Sequence, residues 1–353
     1  MADASLSPEY RRDPVTGRWV IFAPERSLRP LALSHSKPHA RWDAERDTCP
    51  FCEGHETDTP RELFAERDPG SKPDGPGWRL RVVPNRFPAV RPTATANAAA
   101  SRDGLFELAP GVGVHELVIE CPRHTSSPTG LTDAEFAAVF RAYRDRIVAL
   151  AADPRFAYVT VFKNVGAEAG ASLAHLHSQV VATPFVPEAI RGELDGAADY
   201  HRREGRCVFC DIARQESEAG VRVMAETPHF LAVAAFAGRF AYETWVLPKA
   251  HASRYETITD PHAAELARLT KSVLGKLDGV LGHPAYNYYL HTAPARSGEL
   301  PHYHWHLEVV PRTARPAGFE WGSGCFINAV LPEVAAAELR AAEPPPDDDI
   351  FGP

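Results

Sequence analysis

The sequence predicts an α+β fold made of two related half-barrels, each an antiparallel sheet with helices on one side. Three observations predict it. The first is a repeated order of elements: two strands, a helix, a strand and a strand that carries His-x-His occur in both halves of the sequence. The landmark histidines also keep their spacing, since His124 and His175 are 51 positions apart and His251 and His304 are 53 apart. Finally, 44% hydrophobic and 24% charged residues in 353 positions describe a globular chain with one large or two medium cores. An internal duplication is the simplest account.

In the first half, runs of apolar and β-branched residues predict strands, and one segment has apolar residues at helical spacing. The predicted strands are 18–24, a short strand within 79–90 that is broken by Pro84 and Pro88, 114–121, 157–163 and 177–183. The helix is predicted over 131–152, with Thr132 as its N-cap.

The second half repeats this order. Strands are predicted at 230–236, 242–248, 287–293 and 304–311, and a helix over 260–281 with Asp260 as its N-cap. A charged, glycine-containing stretch near 190–206 is the expected boundary between the halves. We therefore expect domains at 1–190 and 191–340, followed by a Pro-rich acidic tail, 341–353, that is disordered.

Composition excludes several classes of protein. The formal net charge of −8 gives no basic footprint for nucleic acid. No apolar run approaches the roughly 20 residues that span a bilayer, and the N-terminus has no signal pattern, which predicts a cytoplasmic protein without a membrane partner. In that reducing setting the six cysteines are expected to be thiols or metal ligands.

Two C-x-x-C pairs indicate metal binding. Each pair is followed by a lone histidine after a strand and then by an H-x-H, and a zinc knuckle needs two such ligands beyond its cysteines. The predicted ligand sets are Cys49, Cys52, His124 and His175 for one zinc, and Cys207, Cys210, His251 and His304 for the other. The alternative is that the pairs are buried thiols or a redox C-x-x-C.

The first H-x-H carries a candidate nucleophile. In a strand, residues i and i+2 face the same side, so His175, His177 and Gln179 line one face. If His175 binds metal, His177 points free into a pocket with Gln179 beside it. A neutral imidazole in the correct tautomer can attack phosphorus, and Gln179 can donate to a phosphoryl oxygen. The alternative is a structural or metal-binding role for His177.

A loop of small residues precedes this strand, FKNVGAEAGAS. Its backbone N–H groups can approach phosphate oxygens closely, and Asn164 and Ser172 can supply side-chain hydrogen bonds.

These motifs together resemble the galactose-1-phosphate uridylyltransferase branch of the histidine-triad superfamily. The resemblance covers roughly residues 13–335 and is carried by DPVTGRWVIFAPERSLRP, CPFC, VVPNRFPAV, CPRH, FKNVGAEAGASLAHLHSQ, HTAP and HWHLEVVPR. It implies histidine-triad half-barrels and a homodimer whose pocket lies at the subunit interface. It also implies a ping-pong reaction in which a UDP-hexose gives UMP to a histidine, releasing hexose 1-phosphate, and a second sugar phosphate takes the nucleotide.

The resemblance assigns roles by motif position. His177 matches the nucleophile, Gln179 its phosphate-binding glutamine and Ser172 the loop serine that contacts phosphates. The substrate-binding positions it implies are Asn85 and Asn164 for the nucleotide, Arg26 and Arg29 for the sugar phosphate, and Glu320 for sugar hydroxyls.

The sequence departs from the family at the nucleophile, where HLHSQ stands in place of HPHGQ or HPHCQ. A plant branch with a similar motif acts on ADP-glucose, so two substrates remain open. The leading hypothesis is uridylyl transfer between UDP-glucose and galactose 1-phosphate, and the rival is adenylyl transfer from ADP-glucose to phosphate. Two further alternatives are a nucleotide-binding protein without turnover and a hydrolase in which water replaces the acceptor.

A second departure concerns the second metal. The resemblance implies an iron-type alternative formed by Glu193, His291, His304 and His306. His304 cannot serve both sites, and the set with Cys207 and Cys210 is favoured. Glu308 stands where the first half has Gln179, so the second half is expected to be structural, and His302 has no assigned role.

Overall fold

The structure, a computed structural model, describes residues 7–28, 43–93 and 101–343. Within these ranges the strands are β1 (Glu9–Arg12), β2 (Trp19–Phe22), β3 (Phe64–Arg67), β4 (Trp78–Pro84), β5 (Ser101–Asp103), β6 (Phe106–Leu108), β7 (Val114–Ile119), β8 (Tyr158–Val165), β9 (His177–Thr183), β10 (Val223–Glu226), β11 (Phe230–Ala234), β12 (Thr244–Pro248), β13 (Tyr286–His291), β14 (His306–Pro311) and β15 (Phe326–Asn328). The helices are α1 (Asp133–Ala151), α2 (Glu188–Glu204), α3 (Val208–Ala219), α4 (Asp260–Leu281), α5 (Gly318–Ser323) and α6 (Pro332–Ala341). No helix in the described part of the chain is long and apolar enough to cross a membrane.

One ten-stranded sheet joins the two halves. Its order is β10-β11-β12-β14-β13-β8-β9-β7-β4-β3, and every neighbouring pair is antiparallel. Read from each edge to the centre, the halves show the same order of elements, and they meet where β8 pairs with β13. The α+β fold and its duplication are therefore confirmed, with the two predicted sheets continuous at the centre.

The pairing register preserves the duplication residue by residue. Gln179 of β9 lies opposite Leu117 of β7, and Glu308 of β14 lies opposite Trp245 of β12. Gln179 and Glu308 thus occupy equivalent positions in the two halves.

Helices α1 and α4 pack against each other on one face of the sheet. Thr132 caps α1 as predicted: its side chain accepts from the Glu135 backbone N–H, and the Glu135 carboxylate accepts from Thr132. The predicted cap of α4 was wrong, since Thr259 accepts from the His262 backbone N–H while Asp260 is already helical. The Asp260 carboxylate instead binds Arg144 of α1 at 2.5 Å.

Strand β11 explains why helices also cover the other face. All five of its residues are buried. Ala232 and Ala234 face the core beneath α1 and α4, whereas Leu231 and Val233 pack in a second cluster with Phe209 of α3. A strand buried on both faces reads as a continuous apolar run, and helices on one side alone would leave Leu231 and Val233 in water.

The stretch expected to hold the domain boundary, 190–206, is almost entirely helix α2. Gly205, with φ +69°, ends this helix in the left-handed conformation that glycine favours. Residues 344–353, most of the predicted tail, lie outside the described residues.

Candidate functional site

The first predicted ligand set converges on one point. Cys49, Cys52, His124 and His175 each offer a ligand atom, and these four atoms all lie within 4.8 Å of one another. Sγ of Cys52 is 3.5 Å from Nδ1 of both His124 and His175. Zinc at tetrahedral bond lengths requires ligand atoms about 3.3–3.8 Å apart, so this donor set fits zinc.

A backbone hydrogen bond orients His175 toward the cysteines. Nε2 of His175 donates to the Cys121 carbonyl at 2.8 Å, which leaves the Nδ1 lone pair free to bind a metal ion. Burial lowers the pKa of His175 to about 3, so the ring is neutral, as a metal ligand must be.

The second predicted set repeats this geometry. Cys207, Cys210, His251 and His304 also place ligand atoms within 4.8 Å of one another. Nδ1 of His251 and of His304 lie 3.3 and 3.6 Å from the Cys210 sulfur, and Nε2 of His304 faces the Pro248 carbonyl at 2.8 Å. Pro248 precedes His251 by three positions, as Cys121 precedes His124, so the supporting bond is duplicated with the ligands.

The iron-type set predicted as an alternative was wrong in one member. His304 belongs to the cysteine site, and Glu193, His291 and His306 gather with Glu308 instead. Nδ1 of His291 is 3.0 Å from Glu193, and Nε2 of His306 is 3.5 Å from Glu308. The Nδ1 atom of His304 faces Cys210, so His304 is not part of this cluster. Glu308, on the same strand as His306, is its fourth member.

This third cluster is buried, and its two carboxylates already accept several hydrogen bonds. Arg239 and Tyr289 donate to the Glu308 carboxylate at 2.5 and 2.6 Å, and Tyr303 donates to Glu193 at 3.0 Å. The backbone carbonyl of His302, a residue with no assigned role, lies 3.5 Å from the Cys207 sulfur.

His177 is the first residue of β9, and the backbone two residues earlier orients its ring. Its Nδ1–H donates to the His175 carbonyl at 2.8 Å, which leaves Nε2 as the nitrogen with a free lone pair. The side chain is buried, its ring centroid lies 5.2 Å from that of Phe51, and burial lowers its pKa. The ring is therefore neutral, and its tautomer is set by the backbone.

His177 opens into a cavity of about 400 Å³. Four residues expected at the site share it: Asn85, Ser172, His177 and Gln179. The rest of the lining is mostly apolar and comes from 50–51, 58–60, 83–84, 86–87, Leu117 and Leu173. The cavity is large enough for part of a nucleotide sugar and places His177 at its wall.

The small-residue loop ends at this cavity. Gly166 and Gly170 take φ of +86° and +87°, a conformation that side chains disfavour, and they flank a short 3-10 turn. Asn164 lies at the loop's entry rather than among the cavity-lining residues, and its Oδ1 accepts from Asn287 at 2.7 Å.

Two predicted sugar-contacting residues do not line the cavity of their own chain. Arg26 lies in a 3-10 helix, Pro24–Leu28, and Glu320 accepts a hydrogen bond from the Ala317 backbone at 2.8 Å. Neither is among the described residues around His177. Arg29 lies outside the described residues.

The sequence patterns did not single out His115, which contacts two of the predicted residues. Its Nε2 lies 2.8 Å from Oε1 of Gln179 and 3.1 Å from Nδ2 of Asn85. The alternation in VHELVIE places His115 on the same face as Leu117, a cavity residue, but only the pairing of β7 with β9 brings it to Gln179.

Comparisons with known proteins find matches along nearly the whole chain. The family model described as galactose-1-phosphate uridyl transferase, N-terminal domain, matches residues 1–187, and one described as a domain of unknown function matches 120–342. ADP-glucose phosphorylase of Arabidopsis thaliana is 38% identical, over 95% of this chain and 93% of that protein. Galactose-1-phosphate uridylyltransferase of Thermotoga maritima is 29% identical, over 95% and 98%.

Solved structures show the same fold. The crystal structure of the Arabidopsis ADP-glucose phosphorylase with bound ADP-glucose superposes with a TM-score of 0.81 at 36% identity, covering 96% of this chain and 100% of that one. A uridylyltransferase structure gives 0.73 at 28% identity, covering 94% and 97%.

A duplicated histidine-triad fold of this kind, with relatives of both activities along nearly its whole length, defines a nucleotidyltransferase. The chain belongs to the galactose-1-phosphate uridylyltransferase family.

Proposed function

We propose that this enzyme transfers a nucleoside monophosphate in two steps through a covalent intermediate on His177. The observation that carries the proposal is the 2.8 Å hydrogen bond from His177 Nδ1–H to the His175 carbonyl. It holds the ring in the tautomer whose Nε2 lone pair is free to attack phosphorus. The same bond can stabilise the positive charge that the imidazole gains in the adduct.

The two steps balance without a further reactant. Nε2 of His177 attacks the α-phosphorus of the nucleotide sugar, and the bond to the sugar phosphate breaks, so the hexose 1-phosphate leaves. An acceptor phosphate oxygen then attacks the same phosphorus, and the phosphorus–nitrogen bond breaks to restore neutral His177. Gln179 and Ser172 line the cavity beside His177 and are proposed to donate to phosphate oxygens.

For the substrate, we favour ADP-glucose as donor and inorganic phosphate as acceptor. The support is that the Arabidopsis protein of that name is 38% identical, against 29% for the Thermotoga uridylyltransferase. The HLHSQ motif departs from the uridylyltransferase pattern at Leu176 and Ser178, but these two side chains do not line the cavity and do not decide between the substrates. Both side chains are buried, and Ser178 is hydrogen-bonded to Tyr143 at 2.5 Å, so the serine packs behind the strand.

Uridylyl transfer from UDP-glucose to galactose 1-phosphate is the second candidate. Uridylyltransferases that align with 95% of the chain support it. Release of glucose 1-phosphate, measured in a single-turnover burst with each nucleotide sugar, separates the two. A burst from ADP-glucose but not UDP-glucose supports the first, and the opposite result supports the second. Nucleotide release without any acceptor would instead indicate a hydrolase.

We propose zinc at both cysteine sites, with a structural role in each. The ligand distances and the paired supporting carbonyls of Cys121 and Pro248 support this. Zinc supplies a fixed tetrahedral junction, and His175 as its ligand holds the start of β9 in place. Elemental analysis of the purified enzyme is expected to find about two zinc ions per chain, one for each four-ligand set. A single zinc would contradict the second site.

We also propose a homodimer with the pocket at the subunit interface. Arg26 and Glu320 are positioned away from the cavity of their own chain, and Trp321 beside Glu320 is 76% exposed. Mixing inactive His177→Gly and Glu320→Ala subunits tests this. If Glu320 acts across the interface, random mixed dimers regain about a quarter of wild-type activity, because one site in each heterodimer is intact. No recovery after subunit exchange would contradict the proposal.

A further inference from the structure

We infer that His115 is a positioning residue that holds the side-chain amide of Gln179 with its NH2 group directed at the substrate phosphate. The inference rests on the proposed nucleotidyl transfer and assigns a task to a residue outside the His177 motif. Three contacts of His115 carry it, two made by its ring and one by its backbone carbonyl.

The first contact fixes the tautomer of His115. The backbone N–H of Ala89 donates to Nδ1 of His115 at 3.2 Å. A backbone N–H can only donate, so Nδ1 must carry the lone pair and Nε2 must carry the hydrogen. Nδ2 of Asn85 lies 3.1 Å from Nε2, and because both nitrogens carry hydrogen in this tautomer, that approach is a packing contact and not a hydrogen bond.

The second contact fixes the orientation of Gln179. Nε2–H of His115 donates to Oε1 of Gln179 at 2.8 Å. With its oxygen committed to His115, the Gln179 amide turns its nitrogen away and keeps both N–H groups for another acceptor. Rotating the amide by half a turn would set N–H against N–H and lose the hydrogen bond.

The third contact fixes the loop that encloses His115. The backbone N–H of Asn85 donates to the His115 carbonyl at 2.8 Å, and the Asn85 Oδ1 accepts from the Phe87 N–H at 2.8 Å. These bonds bring residues 85–89 around the ring, so the Ala89 N–H that sets the tautomer is itself held in place.

The second half of the molecule holds the equivalent position in another way. Glu243 lies two residues before Trp245, as His115 lies two before Leu117, and Glu308 is the counterpart of Gln179. There Arg239 bridges the two carboxylates, at 3.2 Å from Glu243 and 2.5 Å from Glu308. Gln179 in the first half and Glu308 in the second are therefore both held in one orientation. Gln179 keeps N–H groups that can donate to a ligand, whereas the Glu308 carboxylate has none.

A double-mutant cycle tests the coupling. The rate constant for adduct formation is measured in single turnover with ADP-glucose and with UDP-glucose for wild type, His115→Leu, Gln179→Ala and the double variant. Loss of one phosphate donor lowers such a rate about 100-fold or more, so His115→Leu is expected to lose about 10-fold to 100-fold with a much smaller change in KM. In the Gln179→Ala background, His115→Leu should change the rate by less than about twofold, because its target is gone.

A conservative pair separates positioning from packing. His115→Gln can place an N–H donor where Nε2 stood and is expected to recover most of the rate, whereas His115→Glu presents only acceptors and should not. Additive losses in the cycle, or His115→Gln as slow as His115→Leu, would overturn the inference while leaving His177 transfer intact.

A measurement that does not need turnover completes the test. In histidine-labelled enzyme, nitrogen NMR is expected to show His115 protonated on Nε2, with that signal shifted in Gln179→Ala. A proton on Nδ1 would overturn the inference directly. Absence of any adduct in wild type would instead count against the proposed function.

Discussion

At the residue scale, a single hydrogen bond on each ring distinguishes the proposed zinc ligand His175 from the proposed nucleophile His177. His175 and His177 lie two residues apart on one face, yet their rings are tied through opposite nitrogens. His175 gives Nε2–H to Cys121 and keeps Nδ1 for the proposed zinc, whereas His177 gives Nδ1–H to the backbone and keeps Nε2 for the cavity. The hydrogen-bond partner, more than the residue type, therefore decides the task of each ring.

Behind this strand lies a buried ion pair whose loss has a predictable cost. Lys163 of β8 contacts Glu120 at 2.7 Å, and both side chains are fully buried. Lys163→Met leaves the buried Glu120 charge without its cation, although Ser178 still donates to it, and is expected to lower the free energy of unfolding by about 3–5 kcal/mol. The double change Lys163→Met with Glu120→Leu should lose less, as measured by urea unfolding. A double variant less stable than the single one would contradict this reading of the pair.

At the element scale, the sequence predicts the strands and helices with strong local periodicity and misses others, including helices α2 and α3, which cover the second face of the sheet. Strand β9 and helix α4 have the predicted bounds, because alternation and helical periodicity are local signals. The cap of α4 was misassigned because Thr259 and Asp260 are both good caps locally, and Arg144 of another helix binds the aspartate. His115 was missed because its partner Gln179 is 64 positions away, across a strand pairing that periodicity does not encode.

Helix α2 depends on one glycine for its packing. A Cβ at Gly196 would lie 1.9 Å from the Val15 carbonyl oxygen, so the N-terminal segment approaches the helix where no side chain fits. Gly196→Ala is expected to lower the free energy of unfolding by about 1–3 kcal/mol through this clash. Gly192→Ala, on the same helix with open space around it, is the matched control and should gain up to about 1 kcal/mol. Equal effects in thermal unfolding would argue against the close approach.

Helix α6 is tied to the first strand by a carboxylate with a shifted pKa. Burial raises the pKa of Glu333, but hydrogen bonds from Arg11 and Arg222 outweigh it and bring the pKa from 4.5 to about 2. A folded-state pKa below the unfolded value stabilises the protein above about pH 4.5, and that contribution fades as pH falls toward about 2. Glu333→Gln should therefore be less stable than wild type at neutral pH, with the gap closing in acid. A pH-independent gap in unfolding free energy would contradict this assignment.

At the scale of the whole molecule, the two halves share their strand order and their cysteine-histidine set, but they differ around the second histidine of the H-x-H motif. Both halves keep a cysteine-histidine site and its supporting carbonyl, Cys121 in one and Pro248 in the other. Only the first half leaves its second histidine facing a cavity. In the second half, His306 lies among Glu193, His291 and Glu308, and the rings of Phe209 and Trp245 pack within 5.3 Å of it. The second half is thereby expected to support the fold rather than to catalyse.

The two proposed zincs should accordingly act on stability first. Each joins a knuckle to the end of a central strand, so removal by a chelator is expected to lower the thermal midpoint substantially before any selective loss of catalysis. Zinc added back should restore the midpoint and the activity in parallel. A stripped enzyme with an unchanged midpoint but no activity would mean that zinc takes part in the chemistry.

The covalent step on His177 is tested most directly by intact mass measurement after mixing with ADP-glucose in the absence of acceptor. Wild type is expected to gain the mass of one adenylyl group, and added phosphate should remove it as ADP. His177→Gly, with the fold and zinc content retained, should gain nothing. An adduct that persists in His177→Gly, or turnover by wild type with no adduct from either ADP-glucose or UDP-glucose, would contradict a nucleotidyl-histidine at this position.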